Sequence, residues 1–223
     1  CIRDRLPVGS DGLLSADDVA AALRPDTVLV SVMAANNEIG ALQPLAEIGR
    51  VCREAGAIFH TDAAQAVGKV PIDVEAAEID LCSISAHKYY GPKGAGALFV
   101  RRRGRRIRLS PMIIGGGQEG GLRSGTLNVP GIAGLGACSR LALDEMAGEA
   151  RRIGALRDRL LAKIREGVPD ARLNGPADPD RRLPGNLSVS FPRVDGAALL
   201  ISLADVAASA GSACTAGSSE PSH

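Results

Sequence analysis

Apolar and polar positions change rhythm repeatedly through the first half of this chain. Residues 27–33 (TVLVSVM) form a short apolar run of the length and β-branched content of a buried strand. Similar runs occupy 57–60 (AIFH), 80–85 (DLCSIS) and 97–100 (ALFV). Helical spacing lies between them. Ser15 with Asp18 reads as a capping box ahead of a helix through Leu23. Pro44 opens a second helical stretch to Ala55, which Gly56 stops. Strands alternating with helices predict an α/β fold, a mostly parallel sheet with helices on both faces. A long helical region follows, from Val129 to Gly167, with Pro130 in its first turn. Gly148 and Gly154 predict a break within it. Beyond it come a strand over 186–191 (NLSVSF), a helix over 195–203, a short strand over 205–208 and a loop rich in small residues. The expected division is a large domain over 1–146 and part of a smaller α+β domain over 147–223.

Composition narrows the function classes. The formal net charge is +1, so no global field draws nucleic acid or an anionic membrane. Aromatic residues are 2% of the chain and Trp is absent, which leaves no base-stacking platform. No apolar run reaches the roughly 18 residues that span a bilayer, and a cytoplasmic protein is expected. Five cysteines (Cys1, Cys52, Cys82, Cys138 and Cys214) contain no C-x-x-C pair, so neither a metal site nor a disulfide framework is expected. Cys52, Cys82 and Cys138 sit in apolar surroundings and read as core. Residue 1 is Cys, which suggests a start inside a longer reading frame. The basic run at 101–108 (RRRGRRIR) follows a strand and is broken by Gly104, so it reads as a solvated turn. Gly115-Gly116-Gly117 lacks the Gly-Lys-Ser/Thr ending of a phosphate-binding loop.

Candidate chemistry gathers in three places. Residues 85–94 (SAHKYYGPKG) put Lys88 between a strand end and a Gly-Pro turn, where a lysine can lose its proton and form an imine with an aldehyde cofactor. Residues 57–65 (AIFHTDAAQ) deliver Asp62, either a partner for a cationic cofactor ring or the cap of a helix starting at Ala63. Residues 211–222 (GSACTAGSSEPS) carry Cys214 on a small-residue loop; a small buried hydrophobe is the plainer reading of a cysteine, and the polar surroundings argue against it. A carboxylate, an imine-forming lysine and a loop thiol are the parts of pyridoxal-phosphate sulfur chemistry.

With NNEIG (36–40), HTDAAQ (60–65), SAHKYYGPKG (85–94), GGGQEGGLRSGTLN (115–128) and GSACTAGSSEPS in this order, the chain resembles a cysteine desulfurase of the NifS/IscS type, within the class-V aminotransferase-like enzymes. The resemblance implies the large-domain fold of fold type I enzymes and pyridoxal 5'-phosphate as cofactor. It implies that Lys88 holds the cofactor and moves the substrate's protons, and that Asp62 pairs with the ring nitrogen. Gln65 would bond the ring's phenolic oxygen, Ser85 and His87 the phosphate, and Asn37 the cofactor and substrate. Asn36 is read as a turn residue and His60 as structural. The loop carrying Thr126 would complete the phosphate site of a second subunit in a homodimer. Cys214 would take sulfur from L-cysteine as a persulfide, releasing alanine and serving an iron–sulfur scaffold or a thiolation relay. Family members also have an upstream segment, with a ring-stacking histidine, and a downstream arginine for the substrate carboxylate, both expected outside this chain. Two alternatives stand beside this: a selenocysteine lyase, and an inactive dimerisation or binding module.

Overall fold

The computed structural model describes residues 3–105, 107–209 and 211. Its centre is a four-stranded sheet in the order β1 (Leu29–Met33), β2 (Ile58–Asp62), β3 (Leu81–Ser85) and β4 (Gly96–Val100). The first three strands are parallel, and β4 returns antiparallel to β3. The sheet is therefore mostly parallel, as the alternating pattern predicts. Helix α1 (Ala16–Ala22) starts where Ser15 Oγ accepts from Asp17 N at 3.1 Å. Helix α2 (Leu45–Glu54) follows Pro44 and ends at Ala55, with Gly56 left-handed (φ +73°) as its stop. Both helices pack on one face of the sheet. There Val19, Ile48 and Cys52 meet Phe59 and Cys82, with Val30, Val32, Ile84 and Phe99 around them. On the opposite face Leu29, Met33 and Leu98 are exposed, so among the described residues helices cover one face and not the expected two.

No α-helix crosses between β2 and β3. Residues 63–79 form successive turns instead, anchored by the buried side chains of Ala63, Ala66, Ala77 and Ile79. The basic run after β4 is only partly the solvated turn the pattern suggests. Arg101 is buried, donating to Ile79 O at 3.0 Å and to Glu75 at 2.6 Å, with Asp80 3.7 Å away. Arg105 reaches back to Ala57 O at 2.9 Å. Arg102 and Arg103 are exposed.

Helix α3 (Val129–Gly167) is one continuous helix of 39 residues, capped by Asn128 Oδ1 accepting from Gly131 N at 3.1 Å. The expected break at Gly148 and Gly154 is absent. Each glycine costs about 1 kcal/mol against alanine, and no proline or cap reinforces either one within a helix rich in Ala, Leu and Arg. The expected boundary at 146/147 thus falls inside α3. Beyond it, β5 (Arg172–Leu173) and β6 (Val189–Ser190) form a small antiparallel ribbon. The predicted strand over 186–191 shortens to β6, because Asn186 is engaged elsewhere, its Nδ2 donating to Glu38 O at 2.8 Å. Helix α4 (Gly196–Ser202) is capped by Asp195, whose Oδ1 accepts from Ala198 N at 2.8 Å. The strand expected over 205–208 does not form: Val206 N donates to Leu203 O at 2.9 Å and closes a turn.

Buried Arg182 joins this part to the loop after β1. Its guanidinium donates to Pro176 O and Ile39 O at 2.9 Å, to Asn186 Oδ1 at 3.0 Å, and to Asn174 O. Backbone bonds from Leu42 N to Arg181 O and from Leu183 N to Gly40 O, both 2.9 Å, close the junction.

Candidate active site

Parallel strands end on a common edge, and loops leaving that edge carry the chemistry. Asp62 is the last residue of β2 and Ser85 the last of β3. A single 3₁₀ turn, Ala86–Tyr89, follows Ser85 and carries His87 and Lys88. Tyr90 is left-handed (φ +68°), and Gly91 N donates to Ala86 O at 2.9 Å. A Cβ at Gly91 would lie 2.6 Å from Cys138 Sγ and 2.9 Å from Ala86 O, so only glycine lets this turn dock on α3. The opposite side is equally tight. A Cβ at Gly68, itself at φ +77°, would lie 2.7 Å from Tyr89 Cβ. The turn bearing Lys88 is thus wedged between α3 and the turns after β2.

Between these elements lies a cavity of about 640 Å³. Asn37, Gln65, Lys69 and Lys88 line it, with Glu145 and Glu149 from α3 opposite. Gln65 and Lys88 are half-buried, and Asn37 is exposed at the mouth. The structure therefore brings three of the sequence-predicted residues, Asn37, Gln65 and Lys88, into one cavity. Asp62 and Ser85 stand at the neighbouring strand ends. Asp62 Oδ1 accepts from Ala64 N at 2.9 Å, which is the capping role its position also suggested, and its side chain remains exposed. Ser85 Oγ and His87 Nδ1 are 3.0 Å apart and form one hydrogen-bonded pair. Thr126 is exposed in the loop before α3 and does not line the cavity. Cys214 lies outside the described residues.

The neighbouring polar residues fall into structural roles. Asn36 Oδ1 accepts from Glu38 N at 2.8 Å and Ile39 N at 2.9 Å, fixing the turn that presents Asn37. His60 is bonded at both ring nitrogens, to Ser31 Oγ at 2.8 Å and Ser83 Oγ at 2.9 Å. Burial lowers its pKa, and the charge of Asp62 opposes that shift. The Cys52 and Cys82 thiols are both pushed up to about 11, chiefly by burial, with Asp80 adding to the first and Asp62 to the second. These are core thiols. Cys138 is buried too, donating to Leu135 O at 3.2 Å.

The residue that sequence reasoning missed is Lys69. Its ammonium donates to Gln65 Oε1 at 2.9 Å, and its pKa is lowered first by burial and then by the charge of Lys88. Its spacing of four from Gln65 was a legible signal once residues 63–70 were known to turn helically.

The profile of the family described as "Aminotransferase class-V" matches residues 4–223. The chain belongs to the class-V aminotransferase family. Among its class-V relatives, "Cysteine desulfurase IscS" of Anaeromyxobacter dehalogenans is 56% identical over 96% of this chain and 52% of its own length. "Cysteine desulfurase, mitochondrial" of Arthroderma benhamiae is 55% identical over 98% of this chain and 42% of its own length. The solved NifS-like protein from Rickettsia africae superposes with a TM-score of 0.82 at 36% identity, over 92% of this chain and 57% of that one. The chain thus spans about half the length of the relatives it matches. Its α/β fold is that of the NifS-like, fold type I members of the class-V family.

The residues present fit pyridoxal phosphate. The cavity lies within the few hundred to a thousand Å³ typical of cofactor sites. It holds Lys88 for an aldehyde and the Gln65 amide for an oxygen acceptor, with a carboxylate at the adjacent strand end for a cationic ring nitrogen. The Ser85 hydroxyl and the His87 imidazole add donors of the kind a phosphate takes.

Proposed function

We propose that this chain carries the greater part of the active site of a cysteine desulfurase, taking sulfur from L-cysteine and releasing L-alanine. The observation that carries the reading is the meeting of Lys88, Gln65 and Asn37 in one cavity beside the strand ends bearing Asp62 and Ser85. Bound pyridoxal phosphate supplies an aldehyde that condenses with amines and a cationic ring that accepts electrons from the substrate's Cα. Lys88 anchors it and, once displaced by substrate, takes the Cα proton and later returns one. Asp62 keeps the ring nitrogen protonated. Gln65 bonds the phenolic oxygen, Ser85 and His87 bond the phosphate, and Asn37 contacts cofactor and substrate at the mouth. The Cys214 thiolate then attacks the substrate sulfur: an S–S bond forms as the C–S bond breaks, and the protonated three-carbon product leaves as alanine. The persulfide on Cys214 is the cargo for a sulfur-acceptor protein, an iron–sulfur scaffold or a thiolation relay.

A homodimer in which Thr126 serves the partner subunit's phosphate site belongs to the same proposal, and sedimentation with and without cofactor tests it. So do a cofactor-binding part over 1–146, joined through α3 to a smaller part over 147–223, and a cytoplasmic setting, which cell fractionation checks. The direct assay supplies pyridoxal phosphate and L-cysteine and measures alanine and sulfide under a thiol reductant. Equimolar products that vanish in Cys214→Ala are expected. Sulfide release undiminished in Cys214→Ala would remove the persulfide step.

A further inference from the structure

Two side chains in the cavity hold each other in a fixed orientation. Residues 63–70 turn helically, with Val67 N donating to Ala63 O and Val70 N to Ala66 O, each at 3.0 Å. Gln65 and Lys69 therefore stand one turn apart on the same side. Both are half-buried, and both line the cavity that holds Lys88. The Lys69 ammonium donates to Gln65 Oε1 at 2.9 Å. An ammonium has donors only, so the reverse orientation of the amide would set its NH₂ group against Nζ and is repulsive. The carboxamide is locked with Oε1 toward Lys69, leaving both Nε2–H donors for whatever occupies the cavity. Gly68 holds this arrangement in register: its lack of a Cβ allows the turn to close on Tyr89, next to Lys88.

We propose that Lys69 is a positioning residue that selects the donor face of Gln65 and so makes the cavity specific for an acceptor, the phenolic oxygen of the cofactor ring. The inference rests on the pyridoxal-phosphate reading given above. Without Lys69 the amide is free to flip, and a carbonyl oxygen facing an anionic phenolic oxygen repels it. Lys69 thus acts through Gln65 and takes no part in the bond changes.

The test is a double-mutant cycle on the full chain, read by cofactor affinity and by the absorption band of bound pyridoxal phosphate. Gln65→Leu and Lys69→Met should each weaken pyridoxal-phosphate binding by about tenfold and shift the band in the same direction. The double variant should lose no more than Gln65→Leu alone, and Lys69→Arg, which keeps a cationic donor, should recover most of the affinity. Gln65→Glu keeps the pairing with Lys69 but presents no N–H, and should bind as poorly as Gln65→Leu. Additive losses in the double variant would show that Lys69 acts by its own charge, and unchanged affinity in Lys69→Met would show that it does nothing here; either result overturns the proposal. A second readout needs no cofactor. The side-chain amide resonances of Gln65 should move in Lys69→Met and return toward their original positions in Lys69→Arg; resonances that stay put in both variants contradict the lock. Failure of the unmodified chain to bind pyridoxal phosphate would overturn the functional reading, whereas normal binding with an indifferent Lys69 would overturn only this inference.

Discussion

Asp62 stands at the end of β2 with one carboxylate oxygen committed to Ala64 N and its side chain still exposed toward the strand-end edge. One oxygen can cap the turn while the other serves a ring nitrogen. Asp62→Asn keeps the cap and removes the negative charge. Cofactor should still bind, and alanine formation should fall by about a hundredfold or more, the scale of losing a preorganised electrostatic partner. Near-normal turnover would sink the assigned role. The core cysteines give a pH prediction of definite sign. Cys52 and Cys82 are raised to about 11 in the folded chain, against roughly 8.5 for a free thiol. The folded state then holds these protons longer than the unfolded state. Their contribution is full below the free-thiol value and is lost as pH rises toward 11, by up to about 1.4 kcal/mol per pH unit for each thiol. Urea unfolding between pH 8 and 10.5 should show this decline, and a Cys52→Ala/Cys82→Ala chain should decline less steeply.

At the scale of elements, the turns after β2 and the turn after β3 must touch for Gln65, Lys69 and Lys88 to share a cavity. Gly68 is the contact. Gly68→Ala adds a methyl 2.7 Å from Tyr89 Cβ at a φ of +77°. It should cost about 2 kcal/mol by strain alone and weaken cofactor binding, because the two turns separate. Thermal unfolding and a cofactor titration on the same variant check both halves, and unchanged values in each would mean the contact is dispensable. The strands were legible in the sequence because short apolar runs with β-branched residues have few other solutions. The turn bearing Lys88 was legible from Gly91, Pro92 and Gly94, which punctuate helices and strands. The missing helix between β2 and β3 and the unbroken α3 were not. Gly148 and Gly154 carry a local helix penalty that the surrounding ladder of hydrogen bonds outweighs, and a sequence window does not show that sum. Lys69 was hidden for a related reason: four positions from Gln65 means adjacency only once the intervening residues are known to turn.

Across the whole molecule, the part beyond α3 meets the loop after β1 through Arg182, a buried cation satisfied by carbonyl and amide oxygens. Burial, and secondarily the charge of Arg157, push its pKa below the usual guanidinium value, yet its full set of acceptors keeps it in place. Arg182→Met would strand the carbonyls of Ile39, Asn174 and Pro176. A loss of about 3 kcal/mol is expected in equilibrium urea unfolding, together with loosening of the loop that presents Asn37; a loss below about 0.5 kcal/mol, the size of an ordinary surface change, would contradict the tie. Arg182 did not stand out in the sequence, since a buried arginine is recognised by surroundings that span 143 positions, as between Ile39 and Arg182. The site is defined by which lysine meets the cofactor, because Lys69, Lys88 and Lys93 all lie near the same turns and two of them share the cavity. Borohydride reduction of the chain with pyridoxal phosphate, followed by peptide mapping, identifies that lysine. The label is predicted on Lys88, with Lys69 and Lys93 unmodified; a label on Lys69 or Lys93 with Lys88 free would contradict the site.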